Sequence, residues 1–322
     1  MYNNSKPLVT FALFAFNQED YISEAVYGAL SQTYSPLEII LSDDCSTDKT
    51  FLIIKNIIKK YSGPHKIILN KNTINYGIGA HVNKIINIST GKYIVGAAGD
   101  DISLPDRTTK IVDEFLKHDN EVFSVWSSAK YIDENSMLLR EEFCQAVKHN
   151  DISIAKNTNP VIGATHAWKK EVFDIFGPLL PNILFEDNAI SFRSYLLGGI
   201  GFISESLVLY RKHDLNTTNY NRNNSLQSTY KHATKLLKAK SIGLIQRQID
   251  LKTFEFKYKI SKPIIHSIIN REIIKNNLLI SVYNNFPKFK IKYIYHAFYN
   301  LNISKIFIRS VLFKIFGDKH VI

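Results

Sequence analysis

Apolar and polar residues occur in blocks along the first third of the chain, and these blocks predict strands and helices in turn. Leu8–Ala15 is a short apolar run of the kind found in buried strands, and Glu19–Ser31 carries apolar residues at helical spacing. Further strands are predicted at Leu37–Leu41, Lys66–Leu69 and Tyr93–Ala97, and further helices at 51–58 and His81–Ile88. This alternation favours an α/β fold with an open, mostly parallel sheet and helices on both faces.

Polar residues follow three of the predicted strands at the point where each strand ends. They are Asn17, Asp43, Asp44, Asp100 and Asp101. Because ligands bind beyond the carboxyl ends of the strands in open α/β sheets, we expect these distant residues to share one cleft.

Beyond residue 121 the alternation is less regular, but long elements are still visible. Strands are predicted at Val122–Ile132 and Gly201–Tyr210, and helices at Glu171–Phe176 and Asp187–Leu197. Residues 228–316 carry apolar stripes among many lysines, which predicts a mostly helical C-terminal extension.

Composition indicates a globular chain in a reducing compartment. The 322 residues are 45% hydrophobic, so the chain is able to bury a large core. Its longest apolar runs are far shorter than the roughly 18–20 residues of a membrane-spanning helix. Leu8–Phe16 is followed by polar residues without a small-residue cleavage site, so no signal peptide is expected. Cys45 and Cys144 lack metal-ligand spacing, and we expect a cytoplasmic protein.

The net charge of +11 is unevenly distributed. Residues 226–322 contain 18 Lys and Arg against 4 Asp and Glu, whereas residues 1–225 are slightly acidic. We therefore predict a domain at 1–220 and a basic helical extension at 221–322, joined by a polar linker. Segments 288–299 and 305–316 mix lysines with aromatics, as in helices on anionic membranes. The alternatives are plain packing against the first domain and, least favoured, nucleic-acid binding.

Asp100 and Asp101 are adjacent carboxylates after a predicted strand. Such a pair holds a hard cation through one or two oxygens while substrate phosphates fill other positions. The alternative is a solvated turn before a helix N-terminus, where acidic residues are favoured. Pro105 suits the first turn of that helix.

Several short motifs, in order over residues 7–215, resemble the inverting glycosyltransferases of family 2, which have the GT-A fold. The matching stretches are Val9–Asn17, Ala29–Tyr34, Leu37–Asp48, Asn75–Gly77, Gly91–Ile94, Gly99–Asp101 and Pro105–Arg107. Each motif is weak alone, and the order and spacing carry the resemblance. It implies a GT-A, Rossmann-like, mixed and mostly parallel sheet.

The resemblance also implies a nucleotide-sugar site. The residues assigned to it are Ala15, Asn17, Asp43, Asp44, Asn75, Asp100 and Arg211. Asp44 is the acid expected to contact the base, since a carboxylate suits the imide N–H of uracil or thymine. For Asp43 and Asp44 the alternative is capping of the next helix, which Ser46, Thr47 and Asp48 could also provide.

The implied metal is Mn²⁺ or Mg²⁺, with Asp101 as ligand and with His213 either completing its sphere or contacting the diphosphate. The chain departs from the commoner Asp-x-Asp pattern, because Gly99 stands where a first acid is usual. His213 ends the stretch Tyr210-Arg211-Lys212-His213, and an inert surface histidine is its alternative interpretation.

The implied catalytic residues are Asp187, as the general base, and Glu186, as its neighbour. In an inverting transfer a carboxylate must take the proton of the attacking hydroxyl. Both residues also open a predicted helix, where acidic residues are favoured for capping alone. Trp168 is expected either to stack on an acceptor sugar or to lie in the core, and Asn83 to satisfy backbone groups.

The predicted activity is metal-dependent transfer of a sugar from a UDP- or dTDP-sugar to a hydroxyl of a glycan or lipid-linked acceptor. We expect it in cell-surface polysaccharide synthesis, with the enzyme at the cytoplasmic side of the membrane. The rivals are a non-catalytic nucleotide-sugar-binding module and a nucleotidyltransferase. The latter would need a glycine-rich phosphate loop after the first strand, where the chain has Asn17-Gln18-Glu19-Asp20.

Overall fold

The computed structural model describes residues 6–118, 121–142, 149–156, 161–213 and 226–285. The described residues form nine strands, which are β1 (Val9–Ala15), β2 (Leu37–Asp43), β3 (Lys66–Lys71), β4 (Tyr93–Ala98), β5 (Ile102–Ser103), β6 (Ser124–Ile132), β7 (Leu138–Glu142), β8 (Ala167–Lys169) and β9 (Ile200–Arg211). Their α-helices are α1 (Ile22–Leu30), α2 (Thr50–Ile58), α3 (Ile78–Ile88), α4 (Arg107–His118), α5 (Asp151–Lys156), α6 (Glu171–Phe176), α7 (Glu186–Leu197), α8 (Leu226–Tyr258) and α9 (Pro263–Asn284).

The strands form one mixed sheet in the order β3-β2-β1-β4-β8-β6-β9-β5, with β7 paired to β6. β1 pairs in parallel with β2 and β4, β2 with β3, and β6 with β9. The short strands β5, β7 and β8 pair antiparallel with their neighbours. The predicted α/β class, with a mixed sheet, flanking helices and C-terminal helices, is confirmed.

Side chains of β1 alternate between the two faces of the sheet, as the period-2 geometry of a strand requires. Val9, Phe11 and Leu13 pack with α1, α2 and α4 on one face. Ala12 belongs to the core on the other face, which contains residues of α3, α6 and α7. That second core continues into α8 and α9, where Leu251 and Ile265 are completely buried. The C-terminal helices therefore share a core with the sheet.

A buried ion pair fixes α8 against α7. Arg193 Nε donates to Asp250 Oδ2 at 3.0 Å and Nη2 donates to Asp250 Oδ1 at 2.9 Å, with both side chains fully buried. Arg193 Nη1 also donates to the carbonyl of Gly177 at 2.8 Å, and Gln246 Nε2 donates to Asp250 Oδ1 at 2.9 Å. Shared hydrogen bonds of this kind offset the cost of burying two charges.

The loop after β2 differs from its prediction. Ser46 and Thr47 were expected to cap the second helix, and this was wrong, because α2 begins at Thr50. Both residues instead hold the loop after β1: Ser46 Oγ accepts the N–H of Asn17 at 2.8 Å, and the Thr47 N–H donates to Asn17 Oδ1 at 2.9 Å. Asp48 Oδ1 accepts the N–H of Thr50 at 2.9 Å near the helix start.

The fate of the basic tail stays a prediction. Segments 288–299 and 305–316 lie outside the described residues, as does the proposed domain boundary near residue 221. Within the described ranges, no helix combines the length and apolar character needed to cross a bilayer.

Candidate active site

A cavity of about 1370 Å³ opens at the carboxyl ends of β1, β2 and β4. The first residues of α7 and one face each of α8 and α9 also line it. Four of the residues expected to share a cleft, Asn17, Asp44, Asp100 and Asp101, line this cavity, whereas Asp43 does not. The geometry of the parallel strands thus brings together residues that are distant in the sequence.

The wall at β1 contains Ala15 and Asn17, both assigned to the nucleotide-sugar site from the sequence. The carbonyl of Ala15 accepts the N–H of Asp44 at 2.9 Å, which joins the ends of β1 and β2. Asn17 has a φ of 50°, in the left-handed region that asparagine tolerates better than most residues. Its backbone and side-chain bonds to the loop after β2 keep the two strand ends together.

Asp44 is held by three N–H donors. Oδ1 accepts from Asn72 Nδ2 at 2.7 Å and from the Tyr76 N–H at 3.0 Å, and Oδ2 accepts from the Gly77 N–H at 2.9 Å. Asn75, which lines the cavity beside it, accepts the same Gly77 N–H through Oδ1 at 2.9 Å. Each carboxylate oxygen has two lone pairs, so Oδ2 keeps capacity for one further donor.

Two other residues assigned to the donor site lie behind the cavity wall. Asp43 is fully buried, and its Oδ2 accepts the Ser46 N–H at 3.0 Å. Arg211 is 1% exposed, and its Nε donates to the carbonyl of Asp100 at 2.9 Å while Nη2 pairs with Glu24. The structure brings neither side chain into the cavity, and their contacts instead fix the loops that carry Asp44 and Asp100.

Asp100, Asp101 and His213 lie together at the end of β4 and line the cavity. His213 Nε2 is 3.0 Å from Asp100 Oδ2, and Asp101 Oδ1 accepts the backbone N–H of Arg211 at 2.8 Å. Gly99 precedes them in a tight place, since a Cβ there would lie 2.3 Å from Gln18 Oε1. The first acid of an Asp-x-Asp pattern therefore does not fit at this position without displacing Gln18.

The surroundings of the Asp101 carboxyl disfavour its negative charge. Burial and then the neighbouring Asp100 raise the pKa of Asp101 well above its usual value, although the Arg211 N–H and the charges of Arg107 and Arg211 oppose the shift. A bound cation would relieve this cost. No group of three or more His, Cys, Asp or Glu side chains in the described part of the chain is placed to hold a metal by itself. One or two carboxylate oxygens are the usual protein ligands of a hard cation that takes its other ligands from substrate phosphates and water, and Asp100 and Asp101 offer such oxygens.

Glu186 and Asp187 open α7 and line the same cavity. Burial, and then the charge of Asp187, raises the pKa of Glu186 to about 8. Burial also raises the pKa of Asp187 to about 6, against the opposing effects of the Asn188 N–H, which donates to Asp187 Oδ1 at 2.7 Å, and of the Arg247 charge. A Cβ at Gly163 would lie 3.2 Å from Asp187 Oδ2, so glycine leaves room for that carboxylate.

Tyr210 connects the two acidic pairs. Its phenol lines the cavity, and burial followed by the charges of Asp101, Asp100 and Asp187 raises the pKa of Tyr210 to about 12. Tyr210 and the four carboxyl residues Asp100, Asp101, Glu186 and Asp187 line the same cavity. The pair at β4 and the pair at α7 therefore face one space.

Arg247 on α8 was missed by the sequence reasoning. It is 4% exposed, lines the cavity, and donates through Nη1 to the carbonyl of Ala155 at 3.0 Å. Burial lowers the pKa of Arg247 to about 10, against the charges of Asp187 and Asp250. The sequence signal that could have found it is the helical spacing of the α8 residues that line the cavity. The basic composition of this region instead indicated a solvent-exposed surface.

Two open alternatives are resolved by packing. Trp168 is 3% exposed and belongs to the core, where a Cβ at Gly96 would lie 3.1 Å from its ring, so it does not face an acceptor. Asn83 satisfies backbone groups, because its Nδ2 donates to the carbonyl of Leu179 and its Oδ1 accepts the Leu179 N–H, both at 2.8 Å.

Comparison with known sequences places these residues in a family context. The family described as glycosyl transferase family 2 matches residues 10–178. An uncharacterised glycosyltransferase of Haemophilus influenzae is 27% identical over 95% of this chain and 98% of its own length. Another from Methanocaldococcus jannaschii is 34% identical over 46% of this chain and 50% of the relative. EpsE of Bacillus subtilis, which is also named as a glycosyltransferase, is 39% identical over 36% of this chain and 41% of the length of EpsE. The EpsE and Methanocaldococcus jannaschii matches span half or less of the relatives' own length.

Solved structures extend the likeness of fold over nearly the whole chain. Residues 1–349 of S. aureus TarS, in complex with UDP-GlcNAc, have a TM-score of 0.53 at 16% identity, covering 94% of this chain and 81% of that TarS fragment. The mannosyltransferase PcManGT from Pyrobaculum calidifontis, in complex with GDP-Man and Mn²⁺, has a TM-score of 0.56 at 14% identity, covering 98% and 89%. The sheet and its flanking helices are of the GT-A type, and the chain belongs to glycosyltransferase family 2.

Proposed function

We propose that this glycosyltransferase moves a sugar from a nucleoside-diphosphate donor to an acceptor hydroxyl with inversion at the anomeric carbon and with the help of Mn²⁺ or Mg²⁺. One observation carries the proposal. The acidic pair Asp100 and Asp101 and the acidic pair Glu186 and Asp187 line one cavity, with Tyr210 within electrostatic range of three of these carboxylates. One pair suits the metal and diphosphate, and the other suits proton transfer.

The nucleoside would lie at the ends of β1 and β2. Asp44 Oδ2 keeps acceptor capacity there, which suits an imide N–H of uracil or thymine and supports a UDP- or dTDP-sugar. Ala15, Asn17 and Asn75 line the same part of the cavity. Asp43 and Arg211 would act indirectly, by holding the loops that carry Asp44 and Asp100.

Asp101 would be the protein ligand of the cation, with Asp100 and His213 beside it in the cavity. When bound, the cation neutralises charge that develops on the departing diphosphate. Asp101 suits the principal ligand position because its carboxyl is buried beside Asp100 and lacks a full counter-charge. Asp100 and His213 are already in mutual contact through Oδ2 and Nε2, so together they orient one side of the site.

Asp187 would act as the general base. The acceptor oxygen bonds to the anomeric carbon as the bond from that carbon to the diphosphate breaks, and the hydroxyl proton passes to Asp187. A pKa of about 6 suits this step, because the group is ionised at neutral pH yet more basic than an ordinary aspartate. Glu186, with a pKa of about 8, is protonated at neutral pH and would position the acceptor as a hydrogen-bond donor.

The test compares Asp187→Asn, Asp101→Asn and, as a matched control, Asp174→Asn at an exposed position of α6. A panel of nucleotide sugars with Mn²⁺ identifies the donor by thermal shift. We expect Asp187→Asn to retain donor binding but lose about 10²–10⁴-fold in the rate of nucleoside diphosphate release, the range general-base catalysis supplies. Asp101→Asn should lose the metal-dependent part of donor binding.

Near-normal turnover by Asp187→Asn would show that another group is the base. A wild-type protein that binds a donor but never cleaves it, with or without acceptors, would instead be a nucleotide-sugar-binding module.

We further propose that the reaction belongs to cell-surface polysaccharide synthesis at the cytoplasmic side of the membrane, with a glycan or lipid-linked acceptor. The family and the basic C-terminal region support this placement.

A further inference from the structure

Most of the charged residues that line the cavity are divided by sign, and Lys212 on the acidic side is an exception. The strand ends and the start of α7 contribute acids, including Asp44, Asp101 and Asp187. The C-terminal side contributes cations, and these are Lys240 and Arg247 on α8, Lys275 on α9 and Lys156 at the end of α5. Glu272 on α9 also lines this side, paired with Lys275 at 3.3 Å. The proposed chemistry of the donor and the base uses none of these cations.

The cations of α8 form one face of the helix. Lys240, Gly243, Leu244 and Arg247 line the cavity at intervals of three and four residues, the spacing of neighbours on a helical surface. Lys240 lies two turns from Arg247, or about 10 Å along the axis. Arg247 is the member nearer the base, since its charge acts on Asp187. The face therefore leads away from the catalytic carboxylates.

This side of the cavity also carries a buried polar group without a partner among the described residues. Arg247 is 4% exposed, and its Nε has no hydrogen-bond partner among the described residues. The side chain of Asn276 on α9 is 7% exposed and lines the same cavity. A buried donor without a partner costs free energy, and such groups in a cavity wall indicate a ligand that supplies acceptors.

We propose that Arg247, Lys240 and Asn276 form a binding site for a phosphate group of the acceptor, with Lys156 and Lys275 at its rim. The inference rests on the proposed function and deepens it, because it names the chemical class of the acceptor. A guanidinium offers Nε and Nη as a fork for phosphate oxygens, and the lysines add point charges. The excess of cations over Glu272 matches a group that carries more than one negative charge.

The cavity continues beyond the cations into an apolar region. Leu237 lines it three residues before Lys240, and Leu279 and Tyr283 follow Asn276 on α9 at helical spacing. A phosphate bound at Arg247 and Lys240 would thus have the acceptor sugar on one side, toward Asp187, and apolar side chains on the other. An alkyl phosphoester and a free phosphate would both bind the cations through phosphate oxygens. Only the alkyl phosphoester would also contact this apolar region.

The experiment measures binding of hexyl phosphate, inorganic phosphate and neutral hexanol to the full chain by calorimetry, with EDTA present so that no metal contributes. We expect hexyl phosphate to bind and hexanol not to bind. Lys240→Gln and Arg247→Gln should each weaken the Kd for hexyl phosphate by tenfold or more. Lys252→Gln, an exposed site on the same helix that does not line the cavity, should change it by less than twofold.

Lys240 is exposed, so its substitution tests the site even if the buried Arg247 proves necessary for folding. Tenfold tighter binding of hexyl phosphate than of inorganic phosphate supports a phosphoester with an alkyl chain, and equal binding supports a water-soluble phosphate. Absent phosphate binding, or binding that Lys240→Gln leaves intact, overturns the proposal. Release of nucleoside diphosphate, followed with Mn²⁺ in the same preparations, tests the proposed function separately.

Discussion

Glu186 and Asp187 are adjacent residues, yet the cavity gives their carboxyl groups different protonation at neutral pH. Burial raises both pKa values, and the charge of Asp187 raises that of Glu186 further, to about 8 against about 6. In the proposed reaction Glu186 would be a hydrogen-bond donor and Asp187 would be the ionised base. Neighbouring acids with separated pKa values are a common way for a site to divide proton transfer from positioning.

At this residue scale we predict the pH dependence of turnover. The base must be deprotonated and Glu186 must keep its proton, so kcat/KM should fall tenfold per pH unit below about 6, in line with the pKa of Asp187, and fall again above about 8, in line with the pKa of Glu186. Glu186→Gln should keep kcat/KM within about tenfold of the wild type near pH 7, since glutamine reproduces a neutral hydrogen-bond donor. A steady-state pH profile of both proteins checks this, and a profile without an acid limb would contradict it.

At the scale of elements, α8 contributes one wall of the cavity. Its position against the sheet is the feature of the fold that was hardest to predict from the sequence. Its cavity-facing stripe lies within a helix of 33 residues whose many lysines indicated a surface. Tertiary contacts turn this stripe toward the cavity, namely the ion pair of Arg193 with Asp250 and the packing of buried Leu251. Neither contact follows from periodicity, because both join residues far apart in the chain.

We predict that Asp250→Ala lowers the free energy of unfolding by about 3–5 kcal/mol, because it leaves the guanidinium of Arg193 buried without its counter-charge. Denaturant titration at neutral pH provides the measurement. Glu205→Ala, which breaks an exposed pair with Lys110, is the control and should cost no more than about 1 kcal/mol. Equal losses in the two variants would show that the buried pair does not clamp α8.

The sequence predicted the longer elements well and the short ones poorly. β1, β2, β4 and α6 appear where the apolar runs placed them, because a buried strand or helical face leaves its period in the residues. β5 and β8, with two and three residues, are too short to show a period and exist through pairing with β9, β4 and β6. The acidic motifs at Asp44, Asp101 and Asp187 were visible in the sequence, whereas Arg247 needed the packing of α8.

At the scale of the whole molecule, the sheet and the C-terminal helices share one core. Leu251 of α8 and Ile265 of α9 are fully buried in the same cluster as Phe192 of α7 and Ala12 of β1. A charge boundary in the sequence therefore does not coincide with a break in the packing. We expect the described parts of the chain to unfold as one unit.

The corresponding prediction concerns Leu251→Ala, which should lower the free energy of unfolding by about 2–5 kcal/mol through loss of buried surface and the remaining cavity. Fluorescence of Trp126 and Trp168, which lie in β6 and β8, and far-ultraviolet circular dichroism should shift to the same new midpoint. Two separated transitions, with only the helical signal moved, would show that α8 and α9 fold independently.

The division of acids and cations between the walls gives the cavity an electric dipole. Such a field exerts a torque on any entering molecule that has a charged end and a neutral end. The anionic end would turn toward Lys240 and Arg247, so the hydroxyl end would reach Asp187 before any specific contact forms. Added salt, with a Debye length of about 8 Å at 0.15 M, would weaken this alignment. In the proposed reaction the same walls would thus set the direction in which an acceptor enters.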